Sequence, residues 1–181
     1  MNIIILAGYS CAGKSTLARA YSDKYNCGYI DHQNLIHRIA QNNGFDRARH
    51  WLKSVGIELF IDISTKEIIN EIRLLQDKEI DSIITDVSYG MKMLNEISSE
   101  FPKSRIFVVK LNASKSTRKK RIAFRMGNVN DRLASKELNF RDNFLKQANL
   151  DEVLRNATIN LYNDSEIDNV VKELYNELQK R

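Results

Sequence analysis

The chain predicts an α/β fold in which a parallel sheet is covered by helices on both faces. Three observations carry that expectation. The wholly apolar run Ile3-Ile4-Ile5-Leu6-Ala7 leads into a glycine-containing loop and then a helical pattern. Strand-length apolar runs then alternate with amphipathic helical ones to the end of the chain. Two of those runs end in a carboxylate, Asp31 and Asp86. Strands without polar alternation are buried on both faces. Strand–helix alternation means parallel βαβ units with right-handed crossovers.

The elements follow in order. After the loop, Leu17, Ala18, Tyr21 and Tyr25 share one side of a helix. Residues 28–31 form a short second strand. Residues 33–42 are helical, with Leu35, Ile36, Ile39 and Ala40 inward and Gly44 as the stop. A second helical piece, 46–55, carries Trp51, Leu52 and Val55 and stops at Gly56. Phe60, Ile61 and Ile63 read as a connecting segment. Ser64-Thr65-Lys66-Glu67 has the form of a capping box and predicts a helix start, with Ile68, Ile69, Ile72 and Leu75 on one face. The next strand is 82–86. The helix after it contains Met93, Leu94 and Ile97 and is closed by Pro102. Residues 105–111 are a buried strand and 115–126 a strongly basic helix. A loop over 127–132 precedes helices at 135–148 and 151–156. A last strand over 157–162 leads into an amphipathic helix from Ser165, with Ile167, Val170, Val171, Leu174 and Leu178 at helical spacing. No repeat or domain boundary is visible, so 1–181 reads as one domain. The stretch 33–63 is long for one crossover and predicts an insertion.

Composition narrows the class. The chain has 181 residues, 43% hydrophobic and 28% charged, enough for a packed core. No uncharged apolar run reaches the length of a membrane span, and the first apolar run lacks the basic flank of a signal peptide. Two cysteines, Cys11 and Cys27, build no disulfide framework or zinc site, and the cytosol is the expected compartment. Much of the net charge of +5 sits in Arg118-Lys119-Lys120-Arg121 with Arg125. In a phosphate-binding protein such a cluster meets nucleotide phosphates more naturally than nucleic acid, and no nucleic-acid motif accompanies it.

The loop is where the chemistry begins. Gly8-Tyr9-Ser10-Cys11-Ala12-Gly13-Lys14-Ser15, followed by Thr16, fits G-x-x-x-x-G-K-[ST] between a strand and a helix. Glycines let the backbone wrap an anion, and amide groups at the helix start point at phosphates. Lys14 serves the outer phosphates, and the Ser15 hydroxyl suits Mg²⁺. Asp86 follows an apolar strand, as a second Mg²⁺ ligand does; helix capping is the alternative. Asp31 is a candidate general base or, equally, a helix cap. Arg118, Arg121 and Arg125 recur at i, i+3 and i+7 and share a face from which they can neutralise a transferring phosphoryl group. Arg38 and Arg47 are candidates for an acceptor phosphate. His32 and His37 read as packing or surface residues, and Cys11 as a small filler.

These residues resemble the nucleoside monophosphate kinase-like P-loop kinases. That group includes adenylate kinases, phage-type deoxynucleoside monophosphate kinases and dephospho-coenzyme A kinases. Tyr29-Ile30-Asp31 with a helix ending in Arg38 is similar to the dephospho-coenzyme A kinase segment whose first Asp is the base; Gln33 stands where that family has a second Asp. Arg121-Ile122-Ala123-Phe124-Arg125 resembles the R-x-x-x-R of the lid, and Asn163-Asp164-Ser165 the loop that touches adenine. Arg47, Leu52, Gly56 and Glu58 look like the acceptor region of the phage-type enzymes. Thr85-Asp86-Val87 resembles their D-V-R motif with Ser88 in place of arginine.

The resemblance implies the three-layer P-loop NTPase fold with a five-stranded parallel sheet. It also implies an acceptor-binding insertion over 33–63 and a lid over 114–132. The expected function is an ATP- and Mg²⁺-dependent kinase acting on a nucleotide or a nucleotide-like acceptor such as dephospho-coenzyme A. A GTP switch is disfavoured, because Asn112-Ala113-Ser114-Lys115 does not match N-K-x-D. A nucleotide-binding regulatory or nucleic-acid-binding module is the alternative, and Gln33 and Ser88 are its support.

Overall fold

A computed structural model describes residues 1–181 apart from Glu79, Val87 and Ser88. The departure at Ser88 therefore lies outside the described residues. The first half of the chain runs β1 (Asn2–Ala7), α1 (Lys14–Tyr25), β2 (Gly28–Ile30), α2 (His32–Asn42), α3 (Ala48–Val55) and α4 (Ile57–Gln76). It continues with β3 (Ser82–Thr85), α5 (Gly90–Glu100), β4 (Arg105–Asn112), α6 (Lys115–Arg125) and α7 (Asp131–Gln147). Then come α8 (Leu150–Arg155), β5 (Ile159–Tyr162) and α9 (Ile167–Gln179). The five strands form one parallel sheet in the order β2-β3-β1-β4-β5.

The first apolar run occupies the centre of that sheet. Ile4 pairs with Ile84 on one side and Phe107 on the other. Alternate side chains leave a strand on opposite faces, and here both faces are covered. Ile3, Ile5 and Ala7 join Ile83 and Val108 in a core under α2, α3, α4, α5 and α8. Ile4 and Leu6 join Ile84, Phe107 and Val109 under α1 and α9. Burying each such Ile or Leu fully contributes about 1.5–3 kcal/mol, so this run could not tolerate polar alternation.

The strand order also fixes where a ligand can sit. The α1 crossover leaves β1 toward β2 on one face of the sheet. The α5 crossover leaves neighbouring β3 in the opposite direction, toward β4, on the other face. The two connections part at the carboxyl ends of β1 and β3 and open a crevice there.

One predicted helix boundary is overturned. Ser64-Thr65-Lys66-Glu67 does not start a helix, because α4 runs unbroken through it from Ile57. The Ser64 and Thr65 hydroxyls are buried and donate back to the carbonyls of Phe60 (2.7 Å) and Ile61 (2.8 Å). Such i−4 bonds satisfy a hydroxyl inside a helix without the cap its sequence resembles. Phe60, Ile61 and Ile63 are accordingly helical rather than a connecting segment. The loop before α7 is likewise shorter than expected: Asn130 caps the helix by accepting from the Leu133 amide at 3.1 Å, and Asp131 is its first residue. No helix among the described residues is long and apolar enough to cross a membrane.

Candidate active site

The loop between β1 and α1 is shaped by its glycines. A Cβ on Gly8 would stand 2.4 Å from the Leu111 carbonyl oxygen. Gly13 has φ +98°, and a Cβ there would meet the Asn163 amide at 2.0 Å. Both positions therefore exclude larger residues. Helix α1 starts at Lys14 with no side-chain cap and no acidic residue in its first turn. Its first amides and its positive dipole end are left for an external anion. Lys14 folds back on the loop, donating to the carbonyls of Gly8 (2.7 Å) and Tyr9 (3.3 Å). Burial holds its pKa below the usual lysine range, with Asp86 pulling the other way.

Asp86 follows β3 and is buried at 8% exposure. One oxygen accepts from the Ser15 hydroxyl, and the other from the His32 amide at 3.2 Å. No group of three His, Cys, Asp or Glu side chains that could hold a metal occurs among the described residues. A cation on Ser15 and Asp86 would complete its shell with water and phosphate oxygens, the habit of Mg²⁺. Two buried polar atoms in this neighbourhood lack a hydrogen-bond partner among the described residues: the Tyr29 hydroxyl and His32 Nε2. Tyr29 stands on β2 opposite Ile84. Burial, then Asp86 and Asp31, push its hydroxyl pKa up, while Ser15 lies beside it without completing a bond. His32 sits edge-on to the Tyr89 ring at 5.0 Å between centroids. Burial pushes its pKa down to about 4, against the pull of Asp86, so the imidazole is neutral at neutral pH.

The arginine face of α6 does lie on the loop, as its spacing predicts. Arg118 pairs with Asp142 of α7 (2.8 Å) and donates to the Ser10 carbonyl (3.2 Å), while Asp142 accepts the Ser10 amide (3.2 Å). Arg121 donates to the carbonyls of Cys11 (3.3 Å), Ala12 (3.1 Å) and Asn163 (2.8 Å). The buried Asn163 amide donates to Ala12 O at 2.8 Å. Arg125 reaches the Cys11 sulfur at 3.9 Å.

A cavity of about 690 Å³ opens from the loop, within the usual range for a small-molecule site. Ser10, Cys11, Gly13, Lys14, Ser15, Asp86 and Arg125 line its inner end. Gly8, Tyr9, Ala12 and Arg118 face a recess of about 70 Å³ against Leu111 and Asn112 instead. Thr16 is exposed. The Tyr9 hydroxyl is held by Asp151 at 2.5 Å, and burial and that bond push its pKa up to about 12.

Arg47 lines the outer end, with Arg49, Arg141, Phe60, Phe140 and Phe144. The Arg49 guanidinium lies 4.0 Å over the Phe140 ring, and Arg141 pairs with Glu137 at 2.8 Å. Arg47, Arg49 and Arg125 have no carboxylate partner among the described residues.

Two candidates stand elsewhere. Asp31 caps α2, accepting from the Asn34 amide (3.1 Å), the Asn34 side chain (2.9 Å) and Arg19 (3.3 Å), and it does not line the cavity. Arg38 pairs with Glu71 and is exposed. Sequence reasoning missed Arg49, Arg141 and the phenylalanines of α7. Their one signal is the repeat Phe140-Arg141 and Phe144-Leu145, four residues apart, which sets large apolar and basic groups side by side on a helix.

Comparisons with known proteins bear on the fold. No family model matches the chain, and no curated protein matches it. Solved structures do. A shikimate kinase from Bacteroides thetaiotaomicron superposes with a TM-score of 0.65 at 20% identity, over 98% of each chain. The Mycobacterium tuberculosis APS kinase in complex with AMPPNP and APS gives 0.64 at 14% identity, over 98% of this chain and 97% of that one. A gluconokinase from Sinorhizobium meliloti gives 0.56 at 14% identity, over 99% and 92%. These enzymes act on unlike acceptors, and the likeness singles out none of them. The chain has the fold of the P-loop kinases.

Proposed function

We propose that this protein is an ATP- and Mg²⁺-dependent small-molecule kinase whose acceptor is a nucleotide-like anion, a nucleoside or deoxynucleoside monophosphate before dephospho-coenzyme A. One observation carries the reading. The phosphate loop and three guanidinium groups without carboxylate partners line the same cavity. Unpaired arginines at both ends of one cavity fit a polyphosphate donor at the inner end and a second anion at the outer end.

The roles follow from position. The α1 amides and Lys14 hold the outer phosphates of the donor. Ser15 and Asp86 hold Mg²⁺, and bound Mg–ATP supplies the phosphoryl group with part of its charge neutralised. Arg125 faces the transferring group. Arg47 and Arg49 bind the acceptor's anion, while Phe60, Phe140 and Phe144 cover its apolar or planar face. The segment 33–63 is read as the acceptor side, and 114–132 as the lid.

A phosphate acceptor needs no base, because its attacking oxygen is already anionic. That agrees with Asp31, whose carboxylate is spent on Asn34 and Arg19, and with Gln33, which lines the cavity as a neutral amide. Asp31→Ala should therefore cost about 1 kcal/mol of stability as a lost helix cap. Its turnover should stay within about tenfold of wild type, whereas loss of a general base costs about 10²–10⁴. Urea denaturation and steady-state kinetics on one preparation distinguish the two.

The function is tested by ADP release across nucleoside and deoxynucleoside monophosphates, dephospho-coenzyme A and uncharged alcohols. Monophosphates should turn over best. With the best acceptor, Arg47→Ala should raise its KM about 10–100-fold with kcat little changed, the pattern of lost uniform binding. ATP binding without ADP release for any acceptor would instead support a regulatory module.

A further inference from the structure

The Ser15–Asp86 pair is bracketed by two polar groups that the kinase reading has not used. Tyr29 reaches it from β2, on the face of the sheet covered by α1. His32 reaches it from the start of α2, one residue beyond the cap, with its own amide bonded to Asp86. Both are anchored by the same register. Tyr29 pairs with Ile84, Ile30 with Thr85, and the Thr85 hydroxyl donates to the Ile30 carbonyl at 3.3 Å. The pairing of β2 with β3 thus sets both residues against the carboxylate that follows β3.

Each carries a buried atom with no hydrogen-bond partner among the described residues, the Tyr29 hydroxyl and His32 Nε2. Leaving one such atom unsatisfied costs the folded state the full desolvation penalty of that group. Packing alone would be served as well by phenylalanine at either position: Tyr29 packs among apolar groups, and the His32 ring lies edge-on to Tyr89. Polar atoms retained at that cost imply a partner that arrives with a ligand. Mg²⁺ bound by one hydroxyl and one carboxylate keeps several waters, and each water presents hydrogens that need acceptors. A phenol oxygen and an imidazole nitrogen can both accept them.

We infer that Tyr29 and His32 are positioning residues for the hydrated cation, receiving hydrogen bonds from metal-bound water on either side of the Ser15–Asp86 pair. This rests on the assignment of Ser15 and Asp86 as the metal site. It gives the two residues a role in metal affinity that is separate from holding ATP.

The test uses the full-length protein, with Mn²⁺ and ADP as the probe and electron paramagnetic resonance to count free Mn²⁺. Tyr29→Phe keeps the ring and removes the hydroxyl, and His32→Phe puts an apolar ring in place of the imidazole. Loss of an outer partner of a metal shell typically weakens metal binding about 10–100-fold, and a tenfold weaker Mn²⁺ affinity of the ADP complex is expected in each variant. ADP affinity in the presence of a chelator should be unchanged. Melting temperature without metal or nucleotide should be unchanged or higher, since an unsatisfied buried atom has been removed. Mn²⁺ affinity within twofold of wild type in both variants overturns the inference. So does a metal-free loss of melting temperature in both, which marks the groups as structural. A wild-type protein that binds no Mn²⁺ with ADP overturns the kinase reading and this inference together.

Discussion

Lys14→Ala is expected to lower turnover by about a thousandfold or more while leaving the fold intact. Among the described residues Lys14 is the one ammonium lining the cavity, in the first turn of a helix without a side-chain cap. It rests on the loop's own carbonyls and can swing from them to a phosphate without rearranging the backbone. Removing it should not unfold the protein. Burial lowers its pKa, so the folded state holds the proton less readily than the unfolded chain does. Between those two pKa values the unfolded state binds more protons, and the contribution of this group to stability rises with pH rather than falling. The urea midpoint of the variant should lie at or above that of wild type, with turnover measured on the same sample. Near-normal turnover would remove the kinase assignment.

Arg125→Ala is the second large effect, a drop in kcat of about a thousandfold with little change in the KM of either substrate. Three arginines face the loop, and their partners differ. Arg118 is neutralised by Asp142, and Arg121 is spent on three backbone carbonyls. Among the described residues Arg125 has a single hydrogen-bond partner, the Cys11 sulfur, and it lines the cavity. An interaction realised mainly when charge moves onto the transferred group lowers kcat rather than binding. Arg125→Lys should recover only part of the loss, because a point charge does not reproduce a planar fork of donors. A rise in the KM for ATP with kcat preserved would move Arg125 to ground-state binding.

The frame of this protein was legible because its signals are local. Five unpatterned apolar residues before a glycine loop can hardly be anything but a central strand, and Ile3–Ala7 is that strand. The phosphate loop, Ser15 and Asp86 were legible for the same reason: a fixed spacing and a strand end place them. Ser64 misled because a hydroxyl followed three residues on by Glu67 has the composition of a cap, while the core contacts of Phe60 and Ile68 carry the helix straight through. Asp31 was ambiguous in sequence, and in the structure its carboxylate accepts from the Asn34 amide as a helix cap does. The outer end of the cavity was hardly legible, since α3 and α7 bring Arg49 and Phe140 together from positions about ninety residues apart. No one-dimensional period records such a meeting.

The grip of α6 on the phosphate loop has a mechanical consequence. Arg118 and Arg121 clamp the first two turns of that helix to Ser10, Cys11, Ala12 and Asn163. Arg125 lies one turn beyond them, past Ile122, which packs with Cys11 of the loop and with Ala134 and Leu138 of α7. The cradle and the Arg125 guanidinium thus share one support, since the helix that braces the loop also carries that arginine at its end.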